Sequence, residues 1–181
     1  EQMDAALRVP EGRQIDPRLS HDGVHFFLIP SFFTTLETLL DSDENFTLVV
    51  RTFGSDGPAV AQAIAAWAEE CPHPRAKELA PSLEDCYFGR YDEAGSFSLR
   101  RIPGEPQAST EEEEAVILDE SAALLLMETG PRCMCISDHY IWWRDHSYDP
   151  GAGKPVWISL QPALSPHHIF FDDNIHNDAT D

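Results

Sequence analysis

Positive charge is scarce in this chain. Against 32 acidic side chains stand only 12 Lys and Arg, for a formal charge of -20, and such a surface repels nucleic acid phosphates and anionic membranes. Nucleic acid is therefore not the expected partner. Cysteine is also sparse: Cys71, Cys86, Cys133 and Cys135 form no C-x-x-C pair and no short-spaced Cys/His set. That spacing excludes a zinc finger and does not indicate a disulfide scaffold, so it points to a reducing, intracellular and cytoplasmic home. No apolar run is long enough to span a bilayer, and no charged-then-apolar leader opens the chain, so membrane insertion is not expected. No initiator Met precedes Glu1, which predicts a fragment or a trimmed product. No internal repeat is visible.

What is present is a composition suited to one packed domain, with 42% hydrophobic residues in 181. Residues 1–25 form a polar N-terminal segment broken by Pro10, Gly12, Pro17 and Gly23, with room for a short helix over 2–7. The domain proper is expected over 26–176, and 177–181 reads as a disordered tail. Pro30-Ser31 starts a helix whose Phe32, Leu36, Leu39 and Leu40 share one face. Phe46 to Thr52 is β-rich and of strand length. A turn, Phe53-Gly54-Ser55-Asp56, then leads into a helix with Pro58 in its first turn and Val60, Ile64, Trp67 and Ala68 on one side.

This helix, strand, helix order predicts a layered α/β domain, specifically a Rossmann-like three-layer parallel sheet. Segments 87–90 and 96–102 flank Asp92-Glu93-Ala94-Gly95 and read as a hairpin, a small excursion over 87–102. Ser109 or Thr110 can cap a helix that begins with Glu111 to Glu114, where the macrodipole favours acid. Leu118, Ala122, Leu125 and Leu126 would be its apolar face, and Gly130-Pro131 its end. Three further strands are expected, over 133–137, 154–160 and 168–171, with an aromatic helix over 138–144. Cys133 and Cys135 would share one strand face as small buried hydrophobes.

Three features of this order could converge on chemistry. Thr52 ends a strand and is followed by Gly54 and Ser55, whose amides lead into a helix, a turn that holds phosphate oxygens well. Lys154 is a lone cation in a Gly-rich loop. Asp172 and Asp173 follow the apolar run His168-Ile169-Phe170-Phe171 and offer hard oxygen ligands for Mg²⁺ at a strand end. The bland alternative is that Asp172-Asp173-Asn174 is only a turn.

A hydroxyl at one strand end, then a lysine, then an apolar strand running into Asp-Asp resembles the haloacid dehalogenase-like superfamily of phosphohydrolases. The second motif of that family would be Leu48-Val49-Val50-Arg51-Thr52, the third Lys154, and the fourth His168 to Asp173. The resemblance implies a Mg²⁺-dependent phosphatase-like domain acting on a phosphorylated small molecule or protein partner. In it Thr52 and Lys154 would steady phosphoryl oxygens, and Asp172 or Asp173 would hold the metal. The family's nucleophile, an Asp-x-Asp at the end of an apolar first strand, has no counterpart before Thr52. Asp41-Ser42-Asp43 has the spacing but ends an amphipathic helix too close to the next strand to leave room for a crossover. The chain as it stands is thus expected to be silent in phosphoryl transfer.

The alternative class is a non-catalytic interaction or structural subunit that keeps this fold. A Ca²⁺ site at Asp172 and Asp173 in a secreted or lysosomal protein is a third reading, which no leader segment supports. His167, His168 and His176 invite a transition-metal reading, but adjacent strand residues point to opposite faces, so His167 and His168 cannot both join it. Asp138-His139 and Asp145-His146 look like acid/base pairs, yet they lack a nucleophile elbow and read as surface helix. Tyr140, Trp142, Trp143 and Tyr148 read as core, with a substrate cap or a partner surface as the alternative.

Overall fold

The computed structural model describes residues 2–42, 44–101, 117–158 and 167–171. A short helix, α1 (Gln2–Leu7), precedes α2 (Pro30–Asp41). Pro30 pre-sets the first turn of α2, and Phe33, Leu36 and Leu40 recur at helical spacing and are buried. The first strand, β1 (Leu48–Phe53), turns through Gly54 into α3 (Gly57–Glu70). Gly54 has φ +136°, a conformation that side-chain-bearing residues rarely adopt. The predicted face of α3 is confirmed, since Val60, Ile64, Trp67 and Ala68 are all buried along it.

Two short 3-10 turns lead to β2 (Cys86–Tyr91), which pairs antiparallel with β3 (Phe97–Arg101) as the predicted hairpin. A two-residue strand, β4 (Ile117–Leu118), precedes α4 (Glu120–Thr129). The chain then enters β5 (Cys133–Asp138) and α5 (Tyr140–Asp145). The sheet order is β1-β5-β2-β3-β4, so this is a mixed α/β fold around an open, mostly parallel sheet. β5 is parallel to both β1 and β2, and β3 alone runs against the rest. The hairpin is therefore no excursion: β2 is an inner strand, bonded to β5 from Cys86↔Cys135 to Phe88↔Ser137.

Successive strand residues feed two clusters, as the twofold period of a strand requires. Leu48, Val50, Cys133 and Cys135 pack with Leu36, Leu40, Ala61 and Ile64 of α2 and α3. Val49, Met134 and Ile136 pack with Leu99 and with Ala123 of α4. Leu19 and the half-buried Ile15 join the first cluster, which ties the polar N-terminal segment to the domain.

Several expected elements differ. The helix placed after Ser109 begins at Glu120, where the Asp119 side chain accepts from the Ala122 amide at 2.8 Å. Leu118 is extended and pairs with Leu99, and the apolar face shifts to Ala123, leaving Leu125 58% exposed. Ser109, Thr110 and Glu111 to Glu114 lie outside the described residues. Segment 154–158 is not a strand, and neither is 167–171, where Ile169, Phe170 and Phe171 are exposed. Neither segment has a ladder partner among the described residues, and apolar composition alone does not make a strand without one. Among the described residues, no helix is long and apolar enough to cross a membrane.

Candidate functional site

The carboxyl ends of β1, β5 and β2 lie side by side, in register at Thr52↔Ser137 and Phe53↔Asp138. By strand alternation Arg51 and Phe53 leave on the α4 side of the sheet, and Thr52 leaves on the α3 side. Asp138 ends β5 with only 4% of its surface exposed. Its partner is Arg51, whose Nε donates to Oδ2 at 3.1 Å and whose Nη2 donates to Oδ1. Burial pushes the Asp138 carboxyl up from its ordinary value, while Arg51 and then Lys154 oppose that rise. Reading Asp138 as surface helix is thus corrected: it is a buried strand terminus in a two-pronged ion pair.

Arg51 does more than neutralise a carboxylate. Its Nη1 donates to the Pro155 carbonyl, and its guanidinium lies 5.1 Å from the Trp157 ring centroid. Next to Pro155, the Lys154 ammonium sits 4.9 Å from the ring centroid of Phe53. Phe53 in turn stacks flat on Trp143, centroids 4.5 Å apart. Lys154 therefore reaches the residue next to Thr52 at the end of β1. Among the described residues it has no carboxylate within ion-pair distance.

On the α3 side the strand end meets a helix N-terminus at close quarters. A Cβ built on Gly57 would lie 2.8 Å from the Ser137 hydroxyl oxygen, so the start of α3 seats here because residue 57 has no side chain. Ser137 is 1% exposed, and among the described residues its hydroxyl has no hydrogen-bond partner. Asp56 makes no side-chain bond to the first turn of α3, which leaves those amides without a cap from that residue.

Beyond β2 lies a shallow groove of about 420 Å³ lined by Tyr91, Gly95, Trp142, His146 and Asp149. Tyr91 and Trp142 stack at 5.2 Å, and His146 lies 4.0 Å from Trp142. The Tyr91 hydroxyl donates to the Gly153 carbonyl at 3.3 Å, and its amide donates to Nδ1 of His139 at 3.0 Å. Desolvation, with Arg90 adding to it, lowers the His139 pKa. The aromatics expected as core are instead a half-exposed stack at this rim, with Tyr140 42% and Tyr148 51% exposed. Asp145 and His146 lie on the surface at the end of α5, as expected of them.

Of the four predicted site residues, the structure brings Lys154 to the Thr52 end of β1. Asp172 and Asp173 lie outside the described residues, as does His176. His167 is exposed, and His168 lies 6.3 Å from Phe170. Among the described residues, no group of three or more His, Cys, Asp or Glu could hold a metal. The Arg51–Asp138 pair was missed because Arg51 reads only as part of the strand leading to Thr52, and Asp138, weighed as an acid/base partner of His139, reads as surface helix. Their equivalent places at the ends of two apolar runs were the available signal. No family model, no curated protein and no solved structure matches the chain.

Proposed function

We propose that this chain is a Mg²⁺-dependent phosphatase-like domain of the haloacid dehalogenase-like kind, with a Rossmann-like three-layer arrangement, that binds phosphate but is catalytically silent on its own. The observation that carries the reading is the delivery of Lys154, from a distant irregular segment, to the carboxyl end of the strand that bears Thr52. Ligands of open α/β sheets sit at that rim. A phosphoryl group astride the sheet edge there would have the Thr52 hydroxyl and the first amides of α3 on one side and the Lys154 ammonium, over Phe53, on the other. Asp172 and Asp173 follow directly on Phe171 and would supply the hard oxygens that Mg²⁺ prefers. Mg²⁺ would offset phosphoryl charge there.

The Asp nucleophile of that chemistry is not among these residues. Among the described residues β1 is the last strand on its side of the sheet, and a further apolar strand ending in Asp-x-Asp, laid on that side, would set the missing carboxylate beside Thr52. Titration calorimetry with inorganic phosphate tests the reading. Binding is expected to need Mg²⁺ and to weaken about tenfold or more in Lys154→Ala, Thr52→Val and Asp172→Asn, the scale of a lost charge-assisted contact. Affinity unchanged in all three would remove the site. A second reading, a non-catalytic subunit of a larger assembly, is favoured by the exposed Val156, Ile158, Ile169, Phe170 and Phe171. On that reading the chain binds no phosphate.

A further inference from the structure

We propose that Arg51 is a positioning residue, holding Lys154 at the sheet rim by clamping the carbonyl of Pro155 while Asp138 fixes its guanidinium; this rests on the phosphate-site reading above. Segment 154–158 has no helix or strand of its own to hold it in place. The carbonyls on either side of Lys154 are nevertheless both tied down: Gly153 accepts from the Tyr91 hydroxyl of β2, and Pro155 accepts from Arg51 of β1. Pro155 also restricts the Lys154 backbone to extended conformations. Beyond it, Trp157 packs against the Arg51 guanidinium and, at 5.0 Å, against Phe97.

Only a planar fork can do this. The guanidinium uses Nε and Nη2 on the two Asp138 oxygens and Nη1 on Pro155, with its face toward Trp157. A lysine ammonium is a point charge without that plane and cannot satisfy both partners from one position. Arg51 itself is committed to these contacts and does not touch the phosphate. Its part is to hold the Lys154 backbone where the ammonium reaches the end of β1.

The test compares wild type, Arg51→Met, Arg51→Lys, Arg51→Ala and Lys154→Ala by two measurements on the same protein. One is inorganic phosphate affinity with Mg²⁺, and the other is backbone order over 153–158 from ¹⁵N relaxation. Arg51→Met and Arg51→Lys are both expected to weaken phosphate about tenfold or more and to lower the order of 154 and 156–158, with near-UV circular dichroism retained. Millimolar guanidinium ion is expected to restore part of the affinity in Arg51→Ala, a rescue that a general loss of stability would not show. Lys154→Ala is expected to lose affinity while keeping its backbone order. If Arg51→Met, still folded, keeps both affinity and order, the clamp is overturned. If wild type binds no phosphate, or Lys154→Ala binds it as well as wild type, the site reading fails and the clamp stands or falls on the relaxation data alone.

Discussion

The two faces of the sheet are built to different ends. On the α2 and α3 side the packing is aliphatic and dense: Ala61, Ala63, Ile64, Ala66 and Ala68 are fully buried against Cys86, Cys133 and Cys135, with Leu36 and Leu40 closing the layer. Each fully buried Leu or Ile there contributes about 1.5–3 kcal/mol. On the α4 side the buried set is small, Tyr87, Phe97, Leu99, Ala123, Met134 and Ile136, and it gives way at the strand ends to an ion pair and stacked rings. One face holds the domain together; the other carries polar groups that a core would exclude. Candidate chemistry gathers where aliphatic packing thins out, because a buried charge survives only where its partners are specified one by one.

Four substitutions can break or sharpen this contrast. The largest effect is expected on the polar face, where Asp138→Ala leaves Arg51 half-buried without its counter-ion. A loss of about 3–5 kcal/mol in denaturant unfolding is expected, and a cost under about 1 kcal/mol would mean that the pair is solvated. Next comes the seam on the aliphatic face. Gly57→Ala pushes a methyl toward the Ser137 hydroxyl and should cost about 1–3 kcal/mol. Ser137→Ala removes a hydroxyl that has no partner among the described residues, so it should fall within about 1 kcal/mol of wild type or be more stable. The double variant should then be clearly more stable than Gly57→Ala alone, and simple additivity would show that the contact is not the cause.

The smallest effect lies away from both faces, at Arg18, which bonds Asp16 and reaches Glu69 of α3 at 2.6 Å. Hydrogen bonds from Arg18 hold both carboxyls below their ordinary range. Carboxyls depressed by folding stabilise the fold above their unfolded values of about 4, and that contribution is lost as pH falls through the folded values. The melting-temperature gap between wild type and Arg18→Met should therefore be full above about pH 5 and narrow as pH falls below the unfolded carboxyl values of about 4. It should also shrink in high salt, since Glu69 is exposed and Asp16 and Arg18 are only partly buried. A gap that widens in acid would contradict the assignment.

The dense face was the legible one. Leu36 and Leu40 in α2, and Val60, Ile64 and Trp67 in α3, carry helical periodicity because one stripe of each helix meets the sheet, although in α2 Phe33 is buried where Phe32 and Leu39 were expected. The hairpin was marked by Asp92 and Gly95, whose turn is closed by the Asp92 carboxylate accepting from the amides of Ala94 and Ser96. The helix after Thr110 was misplaced because the glutamate run looks like a first turn, whereas the actual cap is Asp119. The apolar runs at 154–158 and 168–171 suggested strands because period and composition are local, while pairing depends on a partner far away in sequence. The Arg51–Asp138 pair was opaque for the same reason: Asp138 reads with His139 as surface helix, and only the register Arg51↔Ile136, Phe53↔Asp138 brings the two charges together. Thr52 and Lys154 were legible as residues, but the arginine clamp between β1 and the lysine segment was not.

The position of β5 has a consequence for how the chain matures. Among the described residues it is the last of five strands along the sequence, yet it lies between the first and second, and no backbone bond joins β1 to β2 directly. During synthesis both inner edges emerge early and wait, each exposing unpaired amides and carbonyls, until the cysteine-bearing strand arrives to wedge between them. Completion is thus a single late, long-range event rather than a gradual zipping from one end. Such an order is slow and vulnerable to wrong edge pairing.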